Sequence, residues 1–133
     1  MYSQLIEKIA EDEALPNNYV EDATNYFVPL VNFIAEKLAE SKTPLMIGIS
    51  GAQGTGKTTL SYLLTRLLTE REFNIAKFSL DDFYLTKNQR KLLASEEHPL
   101  LKTRGVPGTH DTNLLLSKLE ELFKKTKNRT IEI

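Results

Sequence analysis

The chain has 133 residues, 41% of them hydrophobic, with no cysteine and a formal net charge of −1, which suits a single domain with its own core. The lack of cysteine excludes a disulfide framework and thiolate chemistry, and two histidines without cysteine exclude a structural zinc site, so we expect any metal to be a hard, oxygen-bound ion such as magnesium. No apolar run is long enough to span a bilayer, and residues 1–13 lack the basic start and apolar core of an export signal, so we expect a cytoplasmic protein without a membrane partner.

Two amphipathic helices are predicted before the first strand. A short apolar stripe beginning at Tyr2 ends at the acidic residues 11–13 and a turn containing Pro16. A second stripe runs from about Phe27 to Glu40, with Pro29 either in its first turn or kinking it. We expect residues 1–44 to form an N-terminal helical extension packed outside a sheet, with partner binding as the alternative role.

Residues 45–59 read LMIGISGAQGTGKTT and predict a phosphate-binding loop. The apolar run at 45–49 predicts a buried strand, and leucines at helical spacing predict a helix from Lys57 to about Arg71. Between them lies the pattern G-x-x-x-x-G-K-[ST], in the strand and helix context that such a loop requires. The alternative is a glycine-rich turn that binds no ligand.

Each position of this loop has a chemical role in the prediction. Gly51, Gly54 and Gly56 are expected to take positive φ, so that successive N–H groups converge on one anion, and the helix N-terminus adds its positive dipole end. Lys57 is expected to reach the β- and γ-phosphates of ATP as a catalytic cation, and the Thr58 hydroxyl to hold Mg²⁺. The candidate nucleotide-binding residues are Gly51, Ala52, Gln53, Gly54, Thr55, Gly56, Lys57, Thr58 and Thr59.

The charge distribution agrees with a nucleotide ligand. Residues 1–44 carry eight acidic and three basic side chains, whereas residues 45–133 carry ten acidic and fourteen basic ones. The part that contains the loop is therefore the basic part, which suits a polyanionic nucleotide. It lacks the strongly basic character and interleaved aromatic residues of a nucleic-acid binder, so we expect no nucleic-acid partner.

Two carboxylates follow a second predicted strand, residues 74–80. Strand, helix and strand in this order form a βαβ unit and imply a parallel sheet, whose ligands gather at the carboxyl ends of the strands. There, Asp81 or Asp82 can accept the proton of an attacking hydroxyl or hold magnesium. The alternative is that one of them caps a turn. Tyr84 suits either the core or a ligand contact.

A capping box at residues 86–89 predicts a helix to about residue 95, and residues 98–111 form the longest stretch without predicted structure. Arg104 suits a carboxylate or phosphate, and His110 and Asp111 suit hydroxyl groups. Asp111 equally suits the cap of the next helix.

The last predicted elements are that helix, residues 113–125, and a third strand at residues 129–133. Together the elements predict an α/β fold of the P-loop NTPase type, a three-layer sandwich around a parallel sheet. In this prediction residues 45–133 are the N-terminal part of the domain that carries the loop.

Three stretches carry a resemblance to a known family: GISGAQGTGKTTL, FSLDDFYLT and RGVPGTHD. In them the chain resembles the D-glycerate 3-kinases of the plant and fungal type and their ATP-binding kinase-like relatives, which belong with uridine kinase, phosphoribulokinase and bacterial pantothenate kinase among the P-loop small-molecule kinases. The resemblance covers residues 45–111 well. Its second and third stretches are more specific than the phosphate loop.

The resemblance implies ATP-dependent phosphoryl transfer to a small hydroxylated metabolite, with D-glycerate as the first candidate. It makes Asp81 the catalytic base and a candidate magnesium ligand beside Thr58. Other candidate substrate contacts are Asp82, Tyr84, Arg104, His110 and Asp111. The alternatives are another acceptor such as a nucleoside or pantothenate, an NTP-binding or NTP-hydrolysing protein without metabolite kinase activity, and a non-catalytic interaction module.

Members of the family continue past the third strand into a second acidic strand end, an arginine-bearing lid and segments that cradle adenine. We therefore expect this chain to be the N-terminal part of a longer kinase or a truncated member. In a truncated member phosphate binding is expected to survive while turnover does not. The residues predict no oligomeric state and no selectivity for the nucleotide base.

Overall fold

The structure is a computed structural model that describes residues 2–124. The chain divides into two compact units, Met1–Lys77 and Phe78–Ile133. The predicted domain boundary between residues 44 and 45 stays a prediction. Over the described residues, no helix combines the length and the apolar composition needed to cross a bilayer.

The described part of the first unit is mainly helical. Its α-helices are α1 (Ser3–Asp12), α2 (Tyr19–Asp22), α3 (Val28–Glu40) and α4 (Lys57–Thr69). A π-helical turn, Ala23–Phe27, joins α2 to α3. Pro29 lies in the first turn of α3, directly after the π-helical turn, within a helical backbone that is continuous from Tyr19 to Glu40. Of the two predicted placements for this proline, the first turn is the one observed, and the hydrogen-bond pattern changes from π to α just before it.

The core of the first unit lies between α1, α3 and α4. The leucine stripe predicted for α4 is confirmed, because Leu63 and Leu67 are fully buried and pack with apolar residues of α1 and α3. Burial of one such side chain stabilises a fold by about 1.5–3 kcal/mol. The buried set is Tyr2, Ile6, Ile9, Ala23, Val31, Ile34, Ala35, Leu63, Leu64, Leu67 and Leu68.

The predicted parallel sheet is not confirmed by the described residues. Residues 45–50 and 74–79 lie outside regular secondary structure, and Leu45, Met46 and Ile47 are 42%, 66% and 45% exposed instead of buried. The physical reason is that a parallel strand is defined and covered by neighbouring strands. Between residues 2 and 124 the β-pairing is confined to one antiparallel bridge, Tyr84 with His110. The predicted third strand, residues 129–133, lies outside the described residues.

The second unit contains α5 (Lys87–Glu96) and α6 (Thr112–Phe123). The capping box predicted for α5 is confirmed: the Gln89 N–H donates to Thr86 Oγ1 at 3.3 Å, and the Thr86 N–H donates to Gln89 Oε1 at 2.9 Å. A 3₁₀ turn at Leu80–Phe83 packs against α6, and a second one at Pro99–Lys102 packs against α5.

The segment 98–111 is more ordered than its sequence indicated. His98 Nδ1 accepts the Leu100 N–H at 3.2 Å, and Pro99 begins the 3₁₀ turn with its restricted φ. Gly105 and Gly108 then take φ of +90° and +91°, which lets the chain reverse where other residues would be strained. The reversal returns residues 109–111 to residues 83–85.

Tyr19 provides a test of polar burial in the first unit. Its hydroxyl is buried without a hydrogen-bond partner among the described residues, and burial raises its pKa. Tyr19→Phe is therefore expected to leave the free energy of unfolding unchanged or to raise it by about 1 kcal/mol in urea titrations. Tyr26→Phe, at a side chain that is 68% exposed, is the control and should change nothing. A clear loss of stability for Tyr19→Phe would contradict the prediction, because it would show that the hydroxyl has a partner.

Candidate active site

The loop at residues 51–59 takes a conformation that depends on its glycines. Gly54 and Gly56 have φ of +78° and +81°, the left-handed region predicted for them and disfavoured for other residues. The same prediction is wrong for Gly51, whose φ is not positive. The constraint at Gly51 is steric, since a Cβ there would lie only 2.8 Å from Thr55 Oγ1. The backbone thus forms a cradle that side chains at these positions would fill or strain.

The N-terminus of α4 lies at the end of this cradle. Its N-cap is Gly56, and within residues 2–124 no side chain accepts a hydrogen bond from its first amides. The first N–H groups of a helix have no intrahelical acceptor and carry the positive end of the helix dipole. Together with the glycine cradle, they suit an anion such as a phosphate group.

Lys57 lies against the loop. Its Nζ donates to the carbonyl oxygens of Gly51 at 2.8 Å and Ala52 at 2.6 Å. The Thr55 hydroxyl donates to the same Ala52 carbonyl at 2.8 Å. These bonds hold the ammonium group beside the cradle, where its charge adds to the positive potential of the helix N-terminus.

The loop also fits the metal that accompanies nucleotides. Among the described residues, no cluster of three or more acidic or histidine side chains is present to hold a metal ion. Magnesium needs no such cluster, because it keeps several waters and binds through one or two protein ligands together with phosphate oxygens. A hydroxyl at Thr58, the second residue of α4, suits that mode of binding.

In the second unit, Asp81 and Asp82 have different roles. Ser79 caps the 3₁₀ turn by accepting the Asp81 N–H at 3.2 Å, and Asp82 Oδ2 accepts the Ser79 N–H at 2.7 Å. Asp82 is therefore the one of the two aspartates that caps a turn, the alternative role considered for both in the sequence analysis. The Asp81 carboxylate is exposed and accepts the Tyr84 hydroxyl at 2.9 Å, so it remains accessible to a substrate.

Tyr84 brings three further groups together. Its ring stacks on the His110 ring, with centroids 4.3 Å apart and planes 27° apart, and the Arg104 guanidinium lies 5.5 Å from its centroid. The pKa of Tyr84 is raised, first by the hydrogen bond to Asp81 and then by burial and the charge of that carboxylate, against the opposing effects of Arg104 and the Gly105 backbone. Four predicted site residues of this unit thus form one cluster: Asp81, Tyr84, Arg104 and His110.

Asp111 lies at the start of α6. Its Oδ1 accepts the Leu114 N–H at 2.9 Å, and its own N–H donates to the Phe83 carbonyl oxygen at 2.6 Å. Of the two uses that the sequence left open for Asp111, the structure shows the helix cap. The cap also ties the end of the 98–111 segment to the turn that carries Asp81.

Arg90 is a residue of this region that the sequence did not indicate. Its side chain is buried, with 8% of the residue exposed, and its guanidinium donates to the carbonyl oxygens of Leu85 and, at 3.4 Å, Lys102. The Leu85 N–H in turn donates to the Thr109 carbonyl at 2.9 Å. Arg90 thereby joins the residues after Tyr84 to the segment that carries Arg104. No motif or periodicity marks a charged residue of a polar helix as buried.

Arg90→Ala is expected to destabilise the second unit by about 2 kcal/mol, because it removes charge-assisted hydrogen bonds to two backbone carbonyls. Hydrogen exchange should report the loss locally, with faster exchange at the amides of Leu85 and Asp111, which bond across this junction. Lys91→Ala, at the exposed neighbouring position, is the control. Equal exchange rates at both amides in the two variants would contradict a tethering role for Arg90.

Comparisons with known proteins find one P-loop family and several relatives that are named as kinases. The profile of the KAP family P-loop domain matches residues 27–131. Uncharacterized kinase mug58 of Schizosaccharomyces pombe is 39% identical over 97 residues, which is 71% of this chain and 35% of that protein. The chloroplastic D-glycerate 3-kinase of Arabidopsis thaliana is 35% identical over 114 residues, which is 77% of this chain and 25% of that protein.

A solved structure, that of the YGR205w protein, matches with a TM-score of 0.61 and 34% sequence identity, over 80% of this chain and 38% of that one. The chain therefore spans between a quarter and about two fifths of the length of these proteins.

Proposed function

We propose that this chain, which belongs to the KAP family of P-loop domains, is part of an ATP-dependent kinase that phosphorylates a small hydroxylated metabolite, with D-glycerate as the first candidate. The observation that carries the proposal is the loop at residues 51–56, in which Gly54 and Gly56 take positive φ and which ends at a helix N-terminus that no side chain of residues 2–124 caps. That the relatives are named as kinases supports the reaction class.

In the proposed reaction, the backbone N–H groups of residues 51–59 bind the phosphate chain of ATP. Lys57 leaves the carbonyls of Gly51 and Ala52 to neutralise charge on the transferred phosphoryl group. The Thr58 hydroxyl would hold magnesium, with Asp81 as a second candidate ligand. When bound, magnesium supplies further charge neutralisation at the phosphates.

On the acceptor side, we propose that Asp81 accepts the proton of the attacking hydroxyl. Its exposed carboxylate lies in the cluster of Tyr84, Arg104 and His110, and these three side chains are proposed to surround the acceptor. Asp82 and Asp111 remain proposed contacts. Because both carboxylates already cap turns or helices, their proposed contact with the acceptor uses only the oxygen left over.

Arg104 favours an acidic acceptor. A guanidinium binds a carboxylate through two parallel N–H donors, and Arg104 is exposed. D-glycerate carries such a carboxylate beside its hydroxyl groups, and so does pantothenate, the acceptor in the name of several related kinases. Glycerate is preferred because the more similar relative is named for it. A cytoplasmic location stays a prediction, since that relative is named as chloroplastic.

The test is a coupled assay of ADP release by the full-length protein with ATP and a panel of acceptors: D-glycerate, pantothenate, a sugar and a nucleoside. The expected result is acceptor-dependent release that is fastest with D-glycerate. If ADP release were fastest with pantothenate, D-glycerate would be the wrong acceptor and the proposed kinase reaction would stand. Equal ATP hydrolysis with and without every acceptor would favour an NTP-hydrolysing switch and overturn the proposed function.

A further inference from the structure

Tyr84 is hydrogen-bonded to Asp81, the carboxylate that accepts the proton in the proposed reaction. Its hydroxyl donates to Asp81 Oδ1 at 2.9 Å, across the end of the 3₁₀ turn that carries the aspartate. A phenol has one O–H donor. Because that donor is used by Asp81, it is not available to donate to an acceptor molecule.

The tyrosine ring is itself held in place. Its residue forms the antiparallel bridge with His110, the two rings stack at 4.3 Å, and the Arg104 guanidinium lies 5.5 Å from the tyrosine ring centroid. Gly105 lies beside the hydroxyl, since a Cβ there would be in ordinary contact with it at 4.0 Å. The position of the hydroxyl is therefore set by groups that lie 20 to 26 residues further along the chain.

Asp81 needs such a support. It lies at an exposed position of a four-residue turn, and its side chain can rotate unless it is bonded. A general base accelerates proton transfer only when its oxygen lies within hydrogen-bond reach of the hydroxyl that loses the proton. The bond from Tyr84 fixes the rotation of the carboxylate through Oδ1, whereas Oδ2 accepts no hydrogen bond from the described residues and is available to another donor.

We propose that Tyr84 is a positioning residue, which holds Asp81 through Oδ1 so that Oδ2 serves as the proton acceptor, rather than a residue that binds the acceptor molecule through its hydroxyl. The inference rests on the proposed kinase function. It explains why a tyrosine, and not only an aromatic ring, stands at this position. The ring alone would suffice for the stack with His110.

The kinetic test compares wild type with Tyr84→Phe, which keeps the ring and removes the hydroxyl. A misdirected base lowers the rate of the chemical step without weakening binding. We expect kcat to fall by about 10- to 100-fold while KM for the acceptor stays within about twofold. Tyr26→Phe, at an exposed position of the first unit, should change neither constant. A raised KM with unchanged kcat would overturn the proposal, because it would make the Tyr84 hydroxyl a direct acceptor contact.

A second test reads the contact without turnover. The Tyr84 hydroxyl donates to Asp81 Oδ1 at 2.9 Å, so a change of that acceptor changes the surroundings of the phenol. In ¹³C-labelled tyrosine NMR spectra recorded at neutral pH, Asp81→Asn should therefore shift the ring signals of Tyr84. Asp82→Asn, whose carboxylate bonds to Ser79, should leave them in place. Identical Tyr84 signals in wild type and Asp81→Asn would overturn the contact.

The two tests separate the inference from the function on which it rests. If wild type phosphorylates no acceptor, the proposed function fails, and the comparison of NMR spectra still decides whether Tyr84 contacts Asp81. If wild type is an active kinase and Tyr84→Phe matches it in kcat and KM, the function stands and the positioning role is wrong.

Discussion

Asp81→Asn is expected to lower kcat for the acceptor by about 10²- to 10⁴-fold, the usual contribution of a general base. The amide keeps the size of the side chain but cannot take up the proton. Because the proposed reaction gives Asp81 a contact with the acceptor and with magnesium but none with the phosphate chain itself, the Kd for ATP without magnesium should stay within about twofold of wild type. Measurement needs single-turnover phosphorylation and a separate ATP-binding titration.

The matched control is Glu96→Gln, which removes a carboxylate charge from an exposed position at the end of α5. It should retain wild-type kcat, and circular dichroism should show both variants folded. Full activity in Asp81→Asn would remove this residue from the reaction, whatever the acceptor. If Asp81→Asn weakened ATP binding only in titrations that contain magnesium, Asp81 would be a metal ligand and not the proton acceptor.

Lys57→Ala is expected to lower the affinity for ATP by about 10- to 100-fold, because charge-assisted hydrogen bonds contribute about 1.5–3 kcal/mol each. The fold should survive, since the groups released by the change, the carbonyls of Gly51 and Ala52, belong to exposed residues. Isothermal titration with ATP measures the affinity, and urea unfolding measures the stability.

Lys42→Ala is the control for Lys57→Ala. It removes the same charge from an exposed position of the first unit outside the loop, and should leave the affinity for ATP unchanged. Unaltered ATP binding in Lys57→Ala would contradict the phosphate-loop interpretation. Binding of a protein partner that survives Lys57→Ala would instead favour an interaction module over a nucleotide-binding protein.

The predicted strands are the part of the fold that the sequence pattern did not predict correctly for the described residues. The apolar run at residues 45–49 predicted a buried strand, yet within the described residues it is half exposed and makes no ladder. Apolar composition tells that a segment prefers burial, whereas a strand also requires hydrogen bonds to a neighbour that the segment itself does not contain. The match to the KAP family profile and to the YGR205w structure supports the P-loop fold independently of those strands.

Local features were determined by the sequence alone. The capping box of α5, the leucine stripe of α4 and the left-handed glycines at 54 and 56 all follow from residues within a few positions of one another. Such features depend on backbone conformation and on i, i+3 or i, i+4 spacing, which the sequence carries directly. For the same reason, the spacing of glycine, lysine and threonine at residues 51–58 is enough to predict a phosphate-binding loop.

Only the tertiary structure decided which side chains meet. The bond from Tyr84 to Asp81 is local, but the stack of Tyr84 on His110 requires the chain to reverse through Gly105 and Gly108, and the approach of Arg104 joins residues 20 positions apart. The burial of Arg90 likewise joins separate segments, because its acceptors are the carbonyls of Leu85 and Lys102, five residues before it and twelve residues after it. Contacts of this kind arise from packing between separate segments, which spacing along the chain does not encode.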